Sequence, residues 1–139
     1  MSKIIEVYIK DGKEHINDKL STAVLKIGYE YSMVPFEDFK ETLNGEHPEL
    51  IIANPNFRPI VNPYPKLPAD FFSDITSILD DHEYQGKIRA TNWKEGAVSW
   101  SDFTSDFYKA FKDYDHGFME IINSEQVEDY LRRTLGLTD

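Results

Sequence analysis

Residues 17–34 read NDKLSTAVLKIGYEYSMV, and two structural periods fit them. Asn17 can cap a helix that lines Leu20, Val24, Ile27 and Tyr31 along one stripe. The same letters also alternate. Ala23, Leu25, Ile27, Tyr29, Tyr31 and Met33 fall on one side, and Val24, Lys26, Gly28, Glu30 and Ser32 on the other. Gly28 weakens both patterns, and the helix is preferred.

Upstream, residues 3–10 (KIIEVYIK) alternate, with Ile5, Val7 and Ile9 on one face. Asp11-Gly12 follows and suits the two positive-φ positions of a type I′ turn. A hairpin returning through residues 13–16 is predicted, with Ile16 opposite Val7.

Downstream, Pro35 opens a short helix, FEDFKETL, which Asn44-Gly45 ends. Residues 50–53 read as a short strand. All seven prolines lie between Pro35 and Pro68, so residues 54–67 cannot form an ordinary helix. Asn54-Pro55-Asn56-Phe57 reads as a turn. Pro65 and Pro68 form a P-x-x-P, but Pro68 is already explained as a helix start. That helix carries Phe71, Phe72, Ile75, Ile78 and Leu79 at helical spacing. Residues 87–98 read as a short strand or loop. Ser99 and Asp102 then resemble a capping box. The helix after them sets Trp100, Phe103, Phe107, Phe111 and Tyr114 on one face and Asp102, Asp106 and Asp113 on the other. A last helix, with Asn123 and Gln126 at its start, buries Val127, Tyr130, Leu131 and Leu135 and stops at Gly136. The expected fold is a single compact α+β domain over residues 1–139. It has a short N-terminal β-hairpin or sheet, and its helices are concentrated in the C-terminal half.

Charge is unevenly spread. Residues 70–130 hold 14 Asp/Glu against 5 Lys/Arg, whereas residues 1–69 hold 10 against 8. A field of one sign repels polyanions and steers cations. Nucleic-acid binding by phosphate neutralisation is therefore disfavoured, since only Arg132 and Arg133 adjoin. The chain has no Cys, which excludes disulfides and thiolate metal sites. It shows no signal-like N-terminal segment and no apolar run of membrane-spanning length, so a cytoplasmic setting is expected.

Chemical motifs are sparse. Residues 113–117 (DYDHG) resemble the opening of a calcium loop, but Gly117 and Glu125 each miss the required spacing by one. Asp80, Asp81, His82 and Glu83 cluster in sequence at a helix end. The serines lack a nucleophile elbow, and the glycines are isolated. No catalytic residue, metal site or cofactor is assigned.

The charge imbalance carries the functional expectation. It is a small acidic interaction protein that binds and occludes a basic partner protein, as an immunity protein blocks a nuclease-type toxin. A phage-encoded inhibitor mimicking nucleic acid is the sibling reading. The expected partner-binding residues are Asp102, Asp106, Asp113, Asp115, Asp80, Asp81 and Glu83. The alternatives are a small enzyme or metal-dependent module built on residues 80–83 and 113–116, or a structural or assembly subunit.

Overall fold

A computed structural model describes residues 2–8, 18–54, 68–91, 107–119 and 124–137. Strands and helices alternate along the chain. β1 (Lys3–Tyr8) is followed by α1 (Asp18–Lys26), β2 (Glu30–Pro35), α2 (Phe36–Gly45) and β3 (Leu50–Asn54). Then come α3 (Pro68–Asp81), β4 (Lys87–Ala90), helical residues 107–110 (α4), β5 (Asp115–Phe118) and α5 (Ser124–Thr134). The five strands form one sheet in the order β2-β1-β3-β4-β5, and every described pairing is parallel.

This corrects the α+β expectation: the architecture is α/β. Parallel neighbours need a crossover between them, and the helices supply it. β1 takes β2 on one side and β3 on the other, with Val7 opposite both Val34 and Ala53. Both edges of β1 are thus occupied, and a hairpin strand has no place beside it. The return strand expected at residues 13–16 lies outside the described residues.

Residues 17–34 fitted two periods because they hold two elements. Leu20, Ala23 and Val24 are buried on α1. Gly28 then takes φ +83, the left-handed value that closes a helix. Its N–H bonds Leu25 O at 3.1 Å, and the Tyr29 N–H bonds Val24 O at 3.1 Å. The chain is extended from Glu30 as β2. α2 follows at once, with Pro35 in the N-cap position.

The helices cover both faces of the sheet. On one face Ile5, Val7, Ile51, Ala53, Ile88 and Ala90 pack against Phe39 and Leu43 of α2, Phe72, Ile75 and Leu79 of α3, and Phe107 and Phe111. On the other, Ile4, Leu50, Ile52 and Met119 meet Leu20 and Val24 of α1 and Val127 and Leu131 of α5. Of the expected apolar stripes, Phe72, Ile75 and Leu79, Phe107 and Phe111, and Val127 and Leu131 are core, while Ile78, Tyr114, Tyr130 and Leu135 are half-buried against it. Trp100, Phe103 and the capping box at Ser99 lie outside the described residues. No described helix is long and apolar enough to cross a membrane.

Candidate functional site

The chain runs outward from β1 to β2, then crosses back to β3 and continues to β5. In open parallel sheets, ligands bind outside the carboxyl ends of the strands where this order reverses, here between β1 and β3. Among the described residues that rim is formed by Tyr8, Asn54, Thr91 and Met119, all buried. The Thr91 N–H bonds Ala53 O and the Met119 N–H bonds Ala90 O, each at 3.0 Å. These bonds extend the ladder to the strand ends.

Directly beneath the rim, in the middle of β1, Glu6 is fully buried. Tyr31 lies opposite Ile4 on β2, and Asn54 lies opposite Tyr8 on β3. Each is therefore a diagonal neighbour of Glu6 on the same sheet face. The Tyr31 hydroxyl donates to Glu6 Oε1 at 2.5 Å, and Asn54 Nδ2 donates to Glu6 Oε2 at 2.9 Å. Hydrogen bonds to a carboxylate are the stronger kind, as its burial demands. Burial pushes the Tyr31 hydroxyl far above its ordinary pKa, and the Glu6 charge adds to the shift. Tyr31 is thus a fixed donor and not an acid. Asn54 ends the central strand with an amide.

The acidic residues expected at a partner surface gather elsewhere, at the opposite pole. Asp80, Glu83, Asp113 and Asp115 line an open groove of about 490 Å³, together with Tyr84 and Tyr114. The Tyr114 hydroxyl donates to Asp80. Burial, reinforced by Asp80, raises the Tyr114 pKa. Glu83 follows α3 in the left-handed region, at φ 52. Its N–H bonds Asp80 O at 3.1 Å, and the Tyr84 N–H bonds Leu79 O at 3.0 Å, a helix stop usually built on Gly.

Asp115 begins β5 and is not a free anion. Lys87 Nζ donates to its Oδ2 at 3.0 Å, and Arg89 Nη2 to its Oδ1 at 3.0 Å. Arg89 Nη1 also reaches the Asp115 backbone oxygen at 2.7 Å. The Lys87 hydrogen bond, aided by Arg89 and opposed by partial burial, holds the Asp115 pKa below the ordinary carboxylate value. Residues 115–118 are strand, so the calcium-loop resemblance of residues 113–117 stops at the sequence. Among the described residues no group of three or more His, Asp or Glu is placed to hold a metal ion.

Four expected contact residues, Asp80, Glu83, Asp113 and Asp115, are thus brought together. Asp81 is exposed but does not line the groove. Asp102 and Asp106 lie outside the described residues. Asp113 sits in the turn after α4 and not on a helical face. Sequence reasoning missed Glu6, Tyr31, Asn54 and Arg89. The available signal was a lone acid inside the apolar run IIEVY and a polar residue closing LIIAN.

No protein-family model and no curated protein matches the sequence. Solved structures match its fold. The chain has a CheY-like α/β fold. It superposes on the Vibrio cholerae chemotaxis protein CheY4, crystallised at pH 4.0, with a TM-score of 0.64 and 15% identity. The alignment covers 96% of this chain and 98% of that one. A second structure of the Vibrio cholerae chemotaxis response regulator CheY4 gives a TM-score of 0.56, again at 15% identity.

This fold overturns the reading as a toxin-directed immunity protein or nucleic-acid-mimicking inhibitor, and with it the basic toxin or nuclease partner. That reading rested on the excess of acids over bases in residues 70–130, set on an α+β body. The body is a parallel α/β sheet. Of the expected partner-binding carboxylates, Asp113 lies off the helix and Asp115 is neutralised by Lys87 and Arg89.

Proposed function

We propose that this chain is a receiver-like signalling module that acts by contacting another protein of a signalling circuit. The observation that carries the reading is the likeness in fold to a chemotaxis response regulator over nearly the whole of both chains. The partners proposed are kinases, phosphatases or motor proteins, the classes with which CheY-like receiver domains interact. One domain over residues 1–139 and a cytoplasmic setting belong to the same proposal. Asp80, Glu83 and Asp113 are the proposed contacts on the acidic pole. Asp115 is set apart by its two cations.

The strand-end rim favours a module that is not switched by a phosphoryl group on residue 54. β1 and β3 end in Tyr8 and Asn54, a phenol and an amide. Aspartyl phosphate chemistry needs a carboxylate there.

Two measurements test the proposal. Cross-linking in the native host, followed by reconstitution from purified components, should yield a stoichiometric complex with a kinase, phosphatase or motor component. A complex with a toxin, or turnover of a small substrate by the isolated chain, would overturn it. Intact-mass analysis after treatment with a small acyl phosphate and Mg²⁺ should show no phosphoryl adduct on residue 54.

A further inference from the structure

We propose that Glu6 and Asn54 form a reciprocal pair that holds the strand-end rim in one state and bars a carboxylate from position 54. The signalling reading gives the pair its consequence, but the pair itself rests on geometry alone. Glu6 and Asn54 are both fully buried. They stand on adjacent central strands at the point where the strand order reverses. The Asn54 amide nitrogen donates to Glu6 Oε2 at 2.9 Å, while Tyr31 occupies Oε1 at 2.5 Å.

A carboxylate can only accept hydrogen bonds, whereas an amide can donate. At this contact position 54 must donate, because its partner is Glu6. An ionised Asp there would set two acceptor oxygens face to face in a buried site, so it could stay only by holding a proton near neutral pH, at a cost in stability. The roles can be exchanged. With Gln at position 6 and Asp at 54, the amide would lie on β1 and the carboxylate on β3, and the hydrogen bond would run the other way.

Glu6 is accordingly a positioning residue. It fixes which atom of Asn54 faces inward, and so which chemistry the end of β3 presents. In a signalling module this is a rim held in place from below, with no acceptor carboxylate at the described end of β3 to be charged and discharged.

A double-mutant cycle on the full chain tests the pair. Asn54→Asp should lower the melting temperature by about 10 °C near neutral pH, the scale for setting a second carboxylate against a buried one. Glu6→Gln combined with Asn54→Asp should recover at least half of that loss. If Asn54→Asp does not fold, the comparison is made on the double variant, which should fold and melt cooperatively. A second readout needs no variant at position 54. The Asn54 side-chain amide protons should exchange slowly with solvent in the natural sequence and faster in Glu6→Ala. The proposal is overturned if Asn54→Asp melts like the parent. It is equally overturned if the double variant is no better than the single one, or if the Asn54 amide exchanges as an exposed one does. None of these readouts depends on finding a signalling partner, so failure of the pair and failure of the signalling reading are separable.

Discussion

Replacing Phe107 by Ala probes how one face of the sheet is sealed. Phe107 is fully buried. Its ring lies 4.9 Å from Phe118, 5.0 Å from Phe111 and 5.4 Å from Phe72, so it joins α4, β5 and α3. Truncation removes roughly 150 Å² of buried apolar surface, worth about 4 kcal/mol at ~25 cal/mol per Å². That falls within the range of about 3–5 kcal/mol for buried Phe→Ala changes. Tyr108, the next residue, is 44% exposed and serves as the control. Tyr108→Ala should cost under about 1 kcal/mol. The assay is urea unfolding of both variants, compared at constant slope. A Phe107→Ala loss below about 1 kcal/mol, or equal losses for the two variants, would refute this packing.

Three further outcomes are expected. Glu83→Gly should stabilise the fold by about 0.5 kcal/mol, because the left-handed φ of 52 is strained for Glu and free for Gly; a lower urea midpoint would contradict this. Gly86→Ala should destabilise by about 2 kcal/mol, since a Cβ there would stand 2.8 Å from the Glu49 carbonyl oxygen, as thermal unfolding would report. The third concerns acid. The Asp115 pKa is lowered in the folded state, so its contribution is complete above the unfolded value near 4 and is lost as pH falls through the folded value. Asp115→Asn should flatten the acid limb of stability in that window. The effect should be under about 1 kcal/mol, because the side chain is 52% exposed. An unchanged acid limb would remove the ion pair from the account.

The elements were more legible than their arrangement. α3 and α5 announced themselves through Phe72, Ile75 and Leu79 and through Val127 and Leu131, because a surface helix must show one apolar stripe. β3 showed as LIIA, the continuous apolar run of a strand buried on both faces. β1 is buried in the same way, but Glu6 interrupts its run and made it look like a half-exposed strand. The Asp11-Gly12 dipeptide then supplied a turn signal, and local chemistry outweighed the fact that a parallel partner sits far along the chain. Gly28 was a boundary, not a defect, which is why both periods fitted around it.

The polar sites were hidden for a related reason. Arg89 and Asp115 are 26 positions apart, and adjacent strands bring them together. Glu6 and Asn54 are 48 apart. Pairing across a parallel sheet leaves no spacing rule in the sequence. The acidic pole was seen as two local clusters, and only the fold shows that they share a groove, with Lys87 and Arg89 paired to Asp115 at its edge.

Cross-strand nuclear Overhauser contacts in the labelled protein test the central claim most directly. A parallel sheet with β1 inside it predicts contacts from the backbone around Val7 to Val34 on one side and to Ala53 on the other, with the staggered pattern of parallel strands on both. Close antiparallel Hα–Hα contacts between residues 3–8 and residues 13–16, with none to Ala53, would restore the hairpin and end the likeness to a response-regulator fold.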